Sequence, residues 1–181
     1  LVIEDNRSES LNGTTTLFNV EIAEFSDSTK TITELLNGLN RITERNYSTE
    51  NLNTYDANTS EIIDASAITT LFGTAADANT AYASSGFSGL GNEAVTLSDT
   101  SLATTVLNTL DGNTTGAVNA ATVTTLTGTA ATANTAYASS GITGLGNEAV
   151  TLSDTSLATT VLNTLDGNTT GAVNAATVTT L

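Results

Sequence analysis

The sequence predicts an α/β fold, a repeat solenoid of short parallel strands alternating with helices. Three observations carry this expectation: a 55-residue internal period, two strand-then-helix segments in each period, and connections short enough to imply parallel strands. With residues 73–126 set above residues 128–181, only three of 54 aligned positions differ: Asp77/Thr132, Phe87/Ile142 and Ser88/Thr143. The same offset relates residues 52–71 to residues 107–126 at ten of twenty positions. The chain therefore reads as a divergent N-terminal segment (1–51), a diverged partial repeat (52–72) and two repeats (73–127 and 128–181). Leu181 occupies the phase of Leu126, after which TGTAATANTAYASSG continues the chain, so the sequence reads as a window on a longer array.

Within one period, EAVTLSD (93–99) alternates apolar and polar residues, with Val95 and Leu97 on one face, as a half-buried strand does. Ser98-Asp99-Thr100-Ser101 is a run of good N-cap residues, after which Leu102, Val106, Leu107 and Leu110 recur at helical spacing. Asp111-Gly112-Asn113 reads as the stop, with the glycine free to take a positive φ. The second segment repeats the grammar. GAVNA (116–120) is a short strand, and Thr122 is placed to cap a second helix. Val123, Leu126, Ala130, Ala133 and Tyr137 step by three and four, one stripe on that helix. Ser139-Ser140-Gly141 closes it, and ITGLGN leads to the next strand. Matching valines divide the period unequally, into a shorter unit from Val95 to Val118 and a longer one from Val118 to Val150. Each βα unit is expected to form one coil and add about 4.8 Å of sheet. A buried Val or Leu contributes about 1.5–3 kcal/mol, and only stacking on the next coil buries it fully.

The segment before residue 52 holds its own candidates. GLNRITE (38–44) sits one full period ahead of EAVTLSD, and TITELLNGL (31–39) reads as a helix. All four cations, Arg7, Lys30, Arg41 and Arg45, lie here, which suits a polar cap on the end of a stack.

Composition narrows the function. The chain has no His, Cys, Met, Trp or Pro, and its apolar fraction of 39% is rich in alanine, so a thin core shared along a stack is expected. Its formal charge is −15, and from Leu52 onward it carries ten acids and no positive side chain. Neutralising phosphates requires Lys or Arg, so no nucleic-acid partner is expected there, and an anionic membrane surface would repel that stretch. No apolar run approaches about 18 residues, so no membrane insertion is expected. Leu1 is not an initiator methionine and no signal peptide is visible, so the start reads as a processing or cutting boundary.

Without His or Cys, triad chemistry and ordinary zinc sites have no residues to use. Lys30 lacks the glycine frame of a P-loop, and GLGNEA (89–94) precedes a strand, whereas a dinucleotide fingerprint comes after one. Acids that recur with every repeat answer to structure, so no catalytic residue is assigned and the chain reads as a non-enzyme. Calcium is the sharpest alternative for them. Asp99, Asp111 and Asn113 recur as Asp154, Asp166 and Asn168, and oxygen ligands suit Ca²⁺. Neither an EF-hand nor a glycine-rich β-roll pattern occurs, and capping by Asp99 and turn formation by Asp111 explain both positions. Calcium stays the subordinate expectation, and no other cofactor is read. Asn-X-Ser/Thr triplets at Asn6, Asn12, Asn46, Asn58, Asn113 and Asn168 read as turn chemistry before glycosylation. Tyr82 and Tyr137, once per repeat, read as core.

GLGNEAVTLSD, LNTLDGNTTG and TLTGTAA make residues 52–181 resemble the long tandem arrays of very large bacterial, especially cyanobacterial, cell-surface proteins. The resemblance implies an extracellular, non-enzymatic surface or filamentous role and supplies no catalytic residue. The expected function is thus a structural array, a scaffold or spacer at the cell surface. Its partners would be cell-surface components and itself, end to end or laterally, since open strand edges pair with other chains unless capped. A second class, an adhesin-type surface, needs an ordered outward row, toward which each strand offers one residue, Thr96 or Asn119.

Overall fold

Short apolar-polar alternations punctuated by Gly, Thr and Ser favour short elements, and among the described residues no strand exceeds four residues and no helix exceeds ten. A computed structural model describes residues 2–3, 15–16 and 40–181, and the chain divides into two compact units, Leu1–Arg41 and Ile42–Leu181. In the first, β1 (Val2–Ile3) pairs antiparallel with β2 (Thr15–Thr16). The helix expected over 31–39 lies outside the described residues. The second unit is α/β, as expected, with parallel strands alternating with helices. Its order is β3 (Asn46–Ser48), α1 (Thr49–Ala57), β4 (Ile63–Asp64), β5 (Thr70–Gly73), α2 (Ala75–Ala83), β6 (Phe87–Ser88), β7 (Ala94–Leu97) and β8 (Ser101–Ala103). Then come α3 (Thr104–Asn113), β9 (Val118–Asn119), β10 (Thr125–Gly128), α4 (Ala130–Ala138), β11 (Ile142–Thr143), β12 (Ala149–Leu152), α5 (Thr159–Asn168) and β13 (Val173–Asn174). The repeat architecture begins ahead of residue 52. Ile42 is buried, its N–H donates to Asp64 O at 2.9 Å, and β3 pairs with β5.

The ladders correct the expected unit lengths. In the five-stranded sheet Tyr47, Leu71, Val95, Val118 and Ile142 stand in register, so the steps between neighbouring strands are nearly equal. In the four-stranded sheet Leu102, Leu126, Val150 and Val173 do the same. Val118 therefore meets Ile142, and Val150 is not its partner. The 55-residue period arises because two ladder steps, Leu102 to Leu126 and Leu126 to Val150, are followed by a short lateral step from Val150 to Leu157. Val95 and Leu102 are separated by the same lateral step, and Leu102 opens a new ladder. Leu157 does so in its turn, donating from its N–H to Thr180 O at 3.0 Å. Helices stack in chain order, and their first residues, Thr49, Ala75, Thr104, Ala130 and Thr159, alternate at intervals of 26 and 29.

Two element boundaries differ from the expectation. The stripe Val123–Leu126–Ala130–Ala133 is buried throughout, but it crosses from strand to helix. Residues 125–128 form β10, and Thr129 caps α4 by accepting from Thr132 N at 3.1 Å. Gly128 has φ +150, which no helix accommodates, and a Cβ there would strike the buried Thr104 hydroxyl. Likewise α3 begins at Thr104, after β8 has taken Leu102, and has no side-chain cap. Asp111, Gly112 and Asn113 lie inside the last turn of α3, and Gly112 does not adopt a positive φ. The core runs along the unit: Leu71, Leu107, Leu110 and Leu126 are fully buried beside Ala75, Ala78, Ala130 and Ala133. Alanine on the inward helix face lets α2 and α4 lie close to the strands.

Candidate functional site

Among the described residues, a recurring set of asparagines joins one helix to the next. The fifth residue of each of the first four helices is an asparagine whose Nδ2 donates to the carbonyl of the third residue of the next helix. Asn53 reaches Asp77 O at 2.9 Å, Asn79 reaches Val106 O at 3.0 Å, Asn108 reaches Thr132 O at 2.9 Å and Asn134 reaches Val161 O at 3.2 Å. Asn113 and Asn168 donate to Asn79 Oδ1 and Asn134 Oδ1, each at 2.9 Å.

The six calcium candidates fall into separate roles. Asp99 does cap a helix, but the one behind it: Ala75 N, at the start of α2, donates to Asp99 Oδ2 at 2.8 Å. Asp154 does the same for Ala130 N at the start of α4, also at 2.8 Å. Asp111 Oδ2 accepts from Ser139 Oγ at 2.7 Å, and Asp56 takes Ser84 in the same way. Asp166 is exposed. Asn113 and Asn168 are the asparagine bridges just described. Among the described residues, no group of three His, Cys, Asp or Glu stands close enough to share a metal ion.

A pair of sites was not anticipated. Glu93 and Glu148 are fully buried. Glu93 Oε2 accepts from Tyr82 Oη at 3.0 Å, Gly91 N at 2.8 Å and Asn92 N at 3.2 Å, while Glu93 Oε1 is buried with no hydrogen-bond partner. Glu148 repeats the arrangement with Tyr137 Oη at 3.0 Å and Gly146 N at 2.9 Å. The GLGNEA motif thus folds a carboxylate back onto its own loop, which Gly91 makes possible by taking φ +126. Thr114 Oγ ties the neighbouring unit on, donating to Glu93 O at 2.7 Å. Burial, and then the nearby carboxylate, push Tyr137 up to about 12, against a lowering contribution from Thr169. Tyr82 moves in the same direction for the same reasons, with Thr114 opposing. The signal available in the sequence was a Glu two residues after a glycine, recurring once per period with a Tyr eleven residues before it. The asparagines were visible as an amide recurring at the same place in each repeated segment, Asn53, Asn79, Asn108 and Asn134.

Chemically, this arrangement positions donors and acceptors between units. Among the described residues no helix is long and apolar enough to cross a membrane. Compared with known proteins, the chain matches no family model, no curated protein and no solved structure.

Proposed function

We propose that the chain is a non-enzymatic structural array, a scaffold or spacer of a large cell-surface or extracellular filamentous protein, that extends and associates through copies of its own repeat. The observation that carries this reading is the asparagine relay from Asn53 to Asn134. It uses the same atoms at every helix step and joins each unit to its successor. A side chain repeated in the same bond at each step serves the stack, and stability in such a stack is a sum of neighbour terms. The test is negative-stain electron microscopy of the purified chain with and without millimolar Ca²⁺. Rods or filaments of the same form in both conditions are expected. Compact particles that never lengthen would remove the reading, and filaments seen only with Ca²⁺ would restore calcium to a structural role.

One observation favours an adhesin-type surface as a second reading. Ser48, Phe72, Thr96, Asn119 and Thr143 stand in one row across five strands, one residue from each. Neighbouring side chains in such a row are about 4.8 Å apart. Co-sedimentation with an insoluble cell-surface polysaccharide, weakened by Thr96→Asp, tests it; a chain that stays in the supernatant eliminates it.

A further inference from the structure

We infer that the groove around Phe72, where the strands pass into the helices, binds the flat face of a neutral, equatorially linked sugar ring. The inference deepens the adhesin-type reading above and rests on the same strand row. Phe72 is its centre. The residue follows the inward Leu71 on β5 and is 43% exposed, the one aromatic in a row whose other members are Ser48, Thr96, Asn119 and Thr143. An open groove of about 350 Å³ runs past it, between the starts of α1 and α2 and the ends of β5 and β7. Ligands of α/β proteins commonly settle outside the carboxyl ends of parallel strands, where side chains from several elements converge. Phe72 also lies inside the sheet, with β3 paired on one side of β5 and β7 on the other.

The next repeat holds the same place with different side chains. Thr127 stands between Ala103 and Thr151 as Phe72 stands between Ser48 and Thr96. Thr74 and Thr129 each cap the helix that follows. In the later copy Thr104 Oγ1 and Thr132 Oγ1 meet at 2.6 Å and clasp the two helix starts together. In the earlier copy Asp77 replaces Thr132, and its Oδ2 accepts from Thr74 Oγ1 at 2.6 Å, while Thr49 Oγ1 donates to Phe72 O at 3.4 Å. The clasp is gone, a phenyl ring replaces a threonine, and Glu50 replaces Thr105. The strand pairing is common to both copies, so these side chains answer to a ligand and not to the stack.

Their chemistry selects the occupant. A phenyl face exposed to water gains most from a ligand with an apolar surface. Thr96, Ser98 and Glu50 are exposed in the same groove and offer two hydroxyls and a carboxylate for hydrogen bonding. A ligand apolar on its face and hydroxylated at its rim uses both. An equatorially substituted pyranose is built this way, with C–H bonds toward its faces and hydroxyls at its edge. Among the described residues no Lys or Arg lines the groove, which leaves an anion without a counter-charge. Glu50 and Asp77 lie in the first turns of α1 and α2, where the helix ends already carry the complementary partial charge, so a cation gains little from them.

The test titrates the full chain with cellohexaose, reading affinity by calorimetry and location by fluorine NMR of chain labelled with para-fluorophenylalanine. The sequence has four phenylalanines, and the signal missing from Phe72→Thr identifies Phe72. That signal alone is expected to shift saturably with cellohexaose and to stay in place with tetramethylammonium chloride. Phe72→Thr restores the residue that the next repeat carries at this position, so the fold tolerates it, and it should weaken cellohexaose about three- to tenfold. Thr105→Glu, Thr127→Phe and Thr132→Asp made together should add a second site. No saturable shift at Phe72, an affinity unchanged by Phe72→Thr, a single site in the triple variant, or a shift with tetramethylammonium alone overturns the assignment. If the chain sediments with insoluble polysaccharide yet takes up no cellohexaose, the groove assignment falls and the row reading stands. Cellohexaose bound at Phe72 by a chain that stays in the supernatant removes the row reading and keeps the groove.

Discussion

A fully buried carboxylate has to be held by donors, and Glu93 is held by three, all on Oε2. Removing the acceptor leaves the part-buried Gly91 N–H and Tyr82 phenol and the Asn92 N–H without it, and a buried donor left unpaired costs on the order of 1–3 kcal/mol. Glu93→Ala is therefore expected to lower stability by at least that amount in a urea titration, with the denaturant slope unchanged. A loss below about 0.5 kcal/mol, typical of surface changes, would show that the loop does not depend on it. The tyrosines give a second handle. Tyr137 has its folded pKa raised from 10.0 to about 12. A group raised in this way contributes stability that is whole below pH 10.0 and is lost as the pH climbs through about 12. The urea midpoint should thus hold steady up to pH 10.0 and fall above it, and Tyr137→Phe should flatten that fall. The recurring Glu and Tyr were visible in the sequence, but their burial as a pair was not, because an acid next to a strand is ordinarily solvated. The turn that Gly91 permits is what buried it.

Among the elements, the boundaries and the caps were the hardest to foresee. An N-cap works on whichever helix start is nearest in space, and in a parallel ladder the nearest start belongs to the previous unit. Hence Asp99, which the sequence places just ahead of α3, serves α2. Asp99→Ala is expected to cost about 0.5–2 kcal/mol, the usual worth of a cap. Its hydrogen-exchange signature should appear in α2, upstream of the mutation, with α3 unaffected. Faster exchange confined to α3 would restore the local cap. The strand-to-helix switch at Gly128 shows a second limit. Apolar residues spaced by three and four mark what is buried, and Val123, Leu126, Ala130 and Ala133 are all buried. The spacing does not reveal that the backbone changes conformation midway. β6 and β11, of two residues each, are too short for a period-two signal, and β10 reads as helix because the three-and-four spacing runs across it, while β7, with Val95 and Leu97 inward, is legible.

For residues 42–181 taken by themselves, stability accumulates at interfaces between neighbouring strand–helix segments, so α5, which has a described neighbouring helix on one side, should be their weakest helix when the 181-residue polypeptide is studied alone. Appending one further repeat after Leu181 is expected to raise the urea midpoint and slow exchange in α5. Covering Leu162 and Leu181 is worth about 1.5–3 kcal/mol for each side chain taken from full exposure to burial, somewhat less here because Leu162 is already half-buried. An unchanged midpoint would mean that the units are energetically independent and that stacking contributes nothing between repeats.

The sequence by itself determined the 55-residue period, the alternation of strand and helix, the parallel pairing and the inward residues, because all of these come from spacing along one chain. Tertiary structure decided which residues meet across each ladder step, and so how one period divides into two such steps and a short lateral one. It also sent Asp99 to the helix behind it and closed Glu93 inside the fold. Those outcomes depend on which unit lies alongside which, and proximity between separate units is set by packing. No local pattern of residues records it.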